Sequence, residues 1–167
     1  MVYQFSAAAE AVGARVERFS CMAEIVRHLR KLIGSGTVST SPLPQEYSEL
    51  RDAFSFASVA EYPHAGYCVS FAQAGIARTG TLFLDLGDSA GRSATALAPT
   101  HFVLLKESTI LPDLRAAAPI LEAALAAGKN GYLSLTTGPS RTADIERVLT
   151  IGVHGPKELH ILILEGV

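Results

Sequence analysis

The sequence predicts an α/β fold, a single domain in which buried strands alternate with amphipathic helices, and three observations carry that expectation. Apolar residues fill 49% of the 167 positions and charged ones 18%, a balance that builds a core instead of a solvated, disordered chain. Strand-type runs at Ala14 to Phe19, His101 to Lys106 and Leu159 to Leu164 are separated by stretches with apolar residues at helical spacing. The length suits one domain and is short for two.

Taken in order, residues 3–11 are Ala-rich and run to Gly13, so that 1–13 read as a short helical leader. Ala14 to Phe19 alternate as a strand. Ser20 then caps a helix in which Met22, Ile25, Val26, Leu29, Leu32 and Ile33 form one stripe opposite Glu24, Arg27, Arg30 and Lys31, and Gly34 ends it. Gly36 to Thr40 make a short strand, and Ser41-Pro-Leu-Pro44 opens a helix over Gln45 to Phe54. Tyr67 to Leu86 reads as two strands, broken by Gly75 and Thr79-Gly80-Thr81, and Gly87 to Ser93 as a loop. Asp113 to Ala127 keeps helical phase with Pro119 kinking or beginning it, and Gly128 to Gly131 turns into a short buried strand, expected to be central, at Leu133.

From Leu133 to Leu149 the pattern is strand, tight turn at Gly138-Pro139, and helix, with Ile145, Val148 and Leu149 at helical spacing. Ser140 or Thr142 can cap that helix, and Asp144 and Glu146 favour its dipole. Gly138, Ser140, Arg141 and Thr142 at one strand-to-helix turn suit a carboxylate or phosphate; the alternative is a well-capped turn with Arg141 in solvent.

A net charge of −2 and an isoelectric point near 6.2 supply no basic field, and with no Trp, five Tyr and seven Phe there is no stacking platform for nucleic acid. Cys21 and Cys68 form no Cys-x-x-Cys pair, which suggests a reducing cytoplasm and no cluster held by this chain. No signal-peptide pattern opens the chain, and no stretch reaches the roughly 20 apolar residues of a membrane span.

The interesting polar residues fall in four loops: Arg78 to Thr81, Ser89 to Ser93, Gly138 to Asp144 and Gly152 to Pro156. Three follow a strand, and loops at the carboxyl ends of parallel strands line the crevice of an open α/β sheet, so these segments are candidates for one ligand site: Arg78, Thr79, Gly80, Thr81, Ser89, Arg92, Gly138, Pro139, Ser140, Arg141, Thr142 and Gly155. Each loop read alone is a turn marked by Gly and Pro. Asp144, Glu146 and His154 are the candidates for proton transfer, although for His154 a structural bond to backbone remains open. His101 opens a buried strand and reads as a satisfied core histidine, whereas His28 and His64 read as solvated and turn residues. No metal-ligand spacing is present, and neither phosphate-loop nor dinucleotide glycine motifs occur.

Gly87-Asp-Ser-Ala-Gly91 matches the nucleophile elbow of serine hydrolases, with Asp144 and His154 downstream in hydrolase order. Its context argues against it, because the elbow feeds a long helix and the stretch from Arg92 to Pro99 is short.

Three blocks add a family resemblance: Gly75-Ile-Ala-Arg-Thr-Gly-Thr-Leu82, Leu97-Ala-Pro-Thr-His101, and Thr137-Gly-Pro-Ser-Arg-Thr-Ala-Asp-Ile-Glu146 followed by Gly152-Val-His-Gly-Pro156. Over roughly Tyr67 to Leu164 the chain resembles the LUD domain of the lactate-utilisation protein C family. The resemblance implies a three-layer α/β/α fold with a mostly parallel central sheet, similar to the ribose-5-phosphate isomerase and CoA-transferase superfamily. It also implies a role in oxidising L-lactate to pyruvate beside iron–sulfur partner proteins, with no cofactor in this chain, and a possible homo-oligomer. The chain is expected to start later than typical members, which leaves the family's N-terminal helix open. Arg78 departs from the acidic residue usual before Thr-Gly-Thr, a change that suits either a lost acid or a more anionic ligand. The competing expectation is a free-standing isomerase-, CoA-transferase- or cyclo-ligase-like enzyme on a phosphorylated or carboxylated metabolite.

Overall fold

The computed structural model describes residues 1–126, 132–142, 150–151 and 155–166. Helix α1 (Val2–Ala11) leads into β1 (Arg15–Phe19), α2 (Met22–Ile33), β2 (Val38–Thr40) and α3 (Ser48–Ala53). Then come β3 (Tyr67–Ala72), β4 (Ala74–Ile76), β5 (Thr81–Asp85), α4 (Ser89–Leu97), β6 (Thr100–Lys106), β7 (Ile110–Leu111) and α5 (Leu114–Ala126). The last strands are β8 (Leu133–Thr136), β9 (Arg141–Thr142), β10 (Thr150–Ile151) and β11 (Glu158–Leu164).

Five strands pair in parallel in the order β1-β11-β6-β3-β2, which makes the expected α/β fold with a mostly parallel central sheet. The strand pleat sorts the two faces. Phe102 and Leu104 of β6 pack with Ile25 and Leu29 of α2 and Leu50 of α3, while Val103 and Leu105 pack with Phe5 of α1 and with Leu82 and Leu84 of β5. Each such fully buried side chain contributes about 1.5–3 kcal/mol. The second outer layer combines α1 and α4 with a smaller sheet ordered β7-β4-β5-β8, in which β5 runs antiparallel to both β4 and β8. The segment read as a leader is α1, and its Phe5 and Ala9 are fully buried in this core.

Four local expectations need correction. Tyr67 to Leu86 forms three strands, because the chain leaves the parallel sheet at Gln73, whose N–H donates to Phe83 O and whose Oε1 accepts from the Asp85 N–H at 2.7 Å. Gly87 to Ser93 is not all loop: the Asp88 carboxylate accepts from the Gly91 N–H at 2.9 Å and starts α4 at Ser89. The strand at Leu133 is not central but the last of the small sheet, with Leu135 48% exposed. Cys21 occupies the cap position of α2, and Ser20 instead donates its N–H and hydroxyl to Glu24 Oε2, which holds that carboxyl below its usual range.

Candidate functional site

The outer face of the small sheet, near the start of α5, brings Arg78, Thr79 and Thr81 of the expected residues to one cleft. β4 ends at Ile76, the chain turns through Arg78 and Thr79, and Gly80 takes φ 65° before β5 begins. A side chain at Gly80 would collide with the backbone of Ala8 and Ala9, so the turn can lie flat on α1 only with glycine there. The Arg78 N–H donates to Pro112 O at 3.1 Å and ties the turn to the segment that opens α5. On the other side, the β5–β8 register pairs Leu82 with Thr136 and so brings Thr81 beside Thr137.

Three hydroxyls therefore form a chain, with Thr79 Oγ1 2.6 Å from Thr81 Oγ1 and Thr81 Oγ1 2.7 Å from Thr137 Oγ1. Two of the three protons serve these bonds, which leaves one hydroxyl proton to offer a ligand. The chain borders a cleft of about 640 Å³ lined by Ile76, Arg78, Thr79, Thr81, Asp113, Leu114, Arg115, Leu135 and Thr137. Asp113 Oδ1 accepts from the Ala116 N–H at 3.0 Å, so this carboxylate serves the amino end of α5. Two guanidiniums, a helix amino end and a hydroxyl chain thus border one cleft, and each is a group that interacts favourably with negative charge.

Gly138 to Arg141 lie elsewhere. Gly138, at φ 73°, sits so close to α1 that a Cβ would stand 2.6 Å from Val12 O. Arg141 Nη2 donates to Val12 O at 2.7 Å, and the Ser140 N–H donates to Pro156 O at 2.9 Å. The turn thus packs at the amino end of β1, and Arg141 is not among the residues lining the outer cleft. Ser140 leads directly into β9, where Thr142 pairs with Thr150, and the helix expected from Ser140 or Thr142 capping, with Ile145, Val148 and Leu149, lies outside the described residues. Asp144, Glu146 and His154 lie outside the described residues.

A second cleft, of about 290 Å³, opens on the inner face of the small sheet. Arg92 of α4 and Gly155 line it, together with His101, Ser134, Thr136 and Tyr132. Arg92 lies over the Tyr132 ring at 5.1 Å. His101, only 2% exposed, is a bonded core histidine as the sequence suggests, with Nε2 2.7 Å from Ser70 Oγ, but it also faces this cleft. Burial pushes its pKa down to about 4, so the ring is neutral at physiological pH. Ser89 is exposed at the start of α4 and lines neither cleft. Among the described residues, the four expected loops do not form one crevice at the carboxyl ends of the parallel strands. Arg78 to Thr81 join antiparallel strands, and Gly138 to Arg141 sit at the sheet's amino end.

The LUD domain family model matches residues 59–164, which span β3 to β11 and both clefts. The chain belongs to the LUD domain family. Its curated relatives include lactate utilization protein C of Bacillus licheniformis, 34% identical over 99 residues that are 58% of this chain and 41% of that protein. The protein of the same name from Bacillus subtilis is 35% identical over 57% of this chain and 41% of its own length. An uncharacterized protein of Neisseria meningitidis is 40% identical over 56% of this chain and 40% of its own length. The matched stretch of this LUD chain thus spans about two fifths of the length of these relatives. A crystal structure of a DUF162 family protein from Deinococcus radiodurans aligns with TM-score 0.69 at 20% identity, covering 98% of this chain and 95% of that one, and this likeness shows the fold.

Within the LUD domain, sequence reasoning gathered Arg78, Thr79, Gly80 and Thr81 as neighbours by their spacing alone. It missed Arg115 and Asp113, which read as the polar start of an ordinary helix, and it did not single out Thr137. The signal that could have found Thr137 is strand alternation, since Leu135 and Thr137 share the face opposite Ser134 and Thr136. Neither cysteine offers a nucleophile in these clefts. Cys68 is fully buried with its thiol pushed up to about 12 by desolvation, and Cys21 stands at the cap of α2.

Proposed function

We propose that this LUD domain acts in lactate utilisation in the cytoplasm, as a subunit that carries no electrons itself and holds a small carboxylate in the outer cleft beside iron–sulfur partner proteins. The observation that carries the reading is the convergence of Arg78 and Arg115 with the hydroxyl chain of Thr79, Thr81 and Thr137. The names of the curated relatives supply the pathway. Oxidising lactate removes two electrons, which calls for a flavin, a nicotinamide or metal centres, and the sequence carries neither a dinucleotide fingerprint nor clustered cysteines. The two free cysteines fit a reducing compartment.

The test is a titration of the chain with L-lactate, pyruvate and ribose 5-phosphate, followed by turnover assays with and without iron–sulfur partners. A carboxylate is expected to bind, with Arg78→Ala losing about 1.5–3 kcal/mol, the scale of a charge-assisted bond. Lactate oxidation is expected only when the partners are present. Turnover by the isolated, metal-free chain would sink the subunit reading. The two guanidiniums also favour a second reading, an enzyme on a phosphorylated metabolite, and preferential binding of ribose 5-phosphate would select it.

A further inference from the structure

The inner cleft differs from the outer one in the charge it offers. Its walls include the apolar Leu84, Leu86 and Pro156, and among the described residues its one cation is Arg92, whose guanidinium is steadied over the Tyr132 ring. Opposite stands a histidine held in one orientation by Ser70, itself fully buried on β3. Ser134 and Thr136 add two hydroxyls 3.1 Å apart. The cleft thus brings a cation, a neutral ring and two hydroxyls to one space with apolar walls, the pattern of a few convergent polar groups that a small-molecule site shows.

We propose that the inner cleft is a second binding site, separate from the outer one, for a small monocarboxylate whose short apolar body carries a carbonyl or hydroxyl group. Arg92 takes the carboxylate, and the hydroxyls of Ser134 and Thr136 with the His101 ring take the carbonyl or hydroxyl. One guanidinium balances one negative charge, and the apolar walls disfavour a second. The low basicity of His101 supports this placement, because a neutral ring accepts or donates a hydrogen bond without adding charge to the cleft. Ser70 acts as a positioning residue by fixing the ring through Nε2. The site stands on geometry independent of the outer cleft, so either can fail alone.

The experiment is a titration of the uniformly carbon- and nitrogen-labelled full chain with pyruvate, 2-oxobutyrate and inorganic phosphate, read by carbon–proton correlation at the His101 ring and by nitrogen–proton correlation at the Thr79 and Thr81 amides. The oxo acids are expected to shift the His101 ring saturably and phosphate is not. Arg92→Gln, an exposed helix position that should leave folding intact, is expected to weaken that binding roughly tenfold or more. A shift confined to Thr79 and Thr81 would overturn this proposal and leave the outer-cleft reading standing. Undiminished binding by Arg92→Gln, or no movement of His101 with any oxo acid, would overturn it as well.

Discussion

The two faces of the small sheet are lined by alternate residues of the same short stretch, one step apart. Along β8, Leu135 and then Thr137 border the outer cleft, while Ser134 and Thr136 border the inner one. Strand pleating alone assigns them, so a one-residue slip in the β5–β8 register would exchange the two linings. The outer face gathers two exposed arginines at the amino end of α5, and the inner face, among the described residues, sets one exposed arginine beside a buried neutral histidine. The difference teaches that packing against the parallel sheet brings a desolvated, uncharged ring from β6 into the inner cleft, whereas the outer cleft is lined by charged side chains that keep contact with water.

The sharpest way to break this comparison is to charge the inner face. His101 has its folded pKa pushed down to about 4 from an ordinary value of 6.5, so between these pH values the unfolded chain binds the proton more tightly. Stability contributed by the neutral ring is therefore fully present above pH 6.5 and is lost as pH falls toward 4, by up to about 3 kcal/mol. Denaturant midpoints measured across that window should drop for the native chain and drop less for His101→Asn. Equal slopes would show that the ring is solvated in the folded state and that the two faces do not differ in polarity as described.

A smaller effect probes the outer face. Thr81 is buried, and its hydroxyl joins Thr79 to Thr137. Thr81→Val keeps the shape and leaves two hydroxyls short of a partner, which should cost about 1–2 kcal/mol of stability. Carboxylate binding should weaken along with it. If binding in the outer cleft is untouched, the hydroxyl chain is structural and the arginines alone hold the ligand.

How much of this was legible in the sequence follows the same division. The parallel strands β6 and β11 carry the apolar runs Phe102 to Leu105 and Ile161 to Leu164 and are buried on both faces, a pattern with few other readings, while β1 is legible by its alternation. β8 was misplaced because Leu133 and Leu135 look like core, while in a cleft-lining edge strand Leu135 stays half exposed. α4 was obscured by its own composition. Gly87, Asp88, Ser89 and Gly91 read as turn residues, yet Asp88 is a cap, and Gly91 lets the helix press against Leu86 O, where a side chain would not fit. Arg115 could not be seen at all, since its meaning comes from β4 and β8 meeting the start of α5.

The smallest effect expected concerns Arg141, which belongs to neither cleft. Its Nη2 donates to Val12 O at 2.7 Å, and its guanidinium fills the space beside Gly13, where a Cβ would meet it. The side chain is exposed, so water competes for the bond and little desolvation is at stake. Arg141→Ala should therefore lower stability by only about 0.5–1 kcal/mol, through a looser junction between α1 and β1. Arg141→Lys should recover little of it, because an ammonium on a flexible stem does not reproduce the fork that reaches the carbonyl. Carboxylate binding measured beside Arg78→Ala decides what else the residue does: a loss in Arg141→Ala as large as in Arg78→Ala would make the Gly138 to Arg141 turn an anion site in its own right, and a clearly smaller one leaves Arg141 as the clasp that holds α1 to the amino end of the sheet.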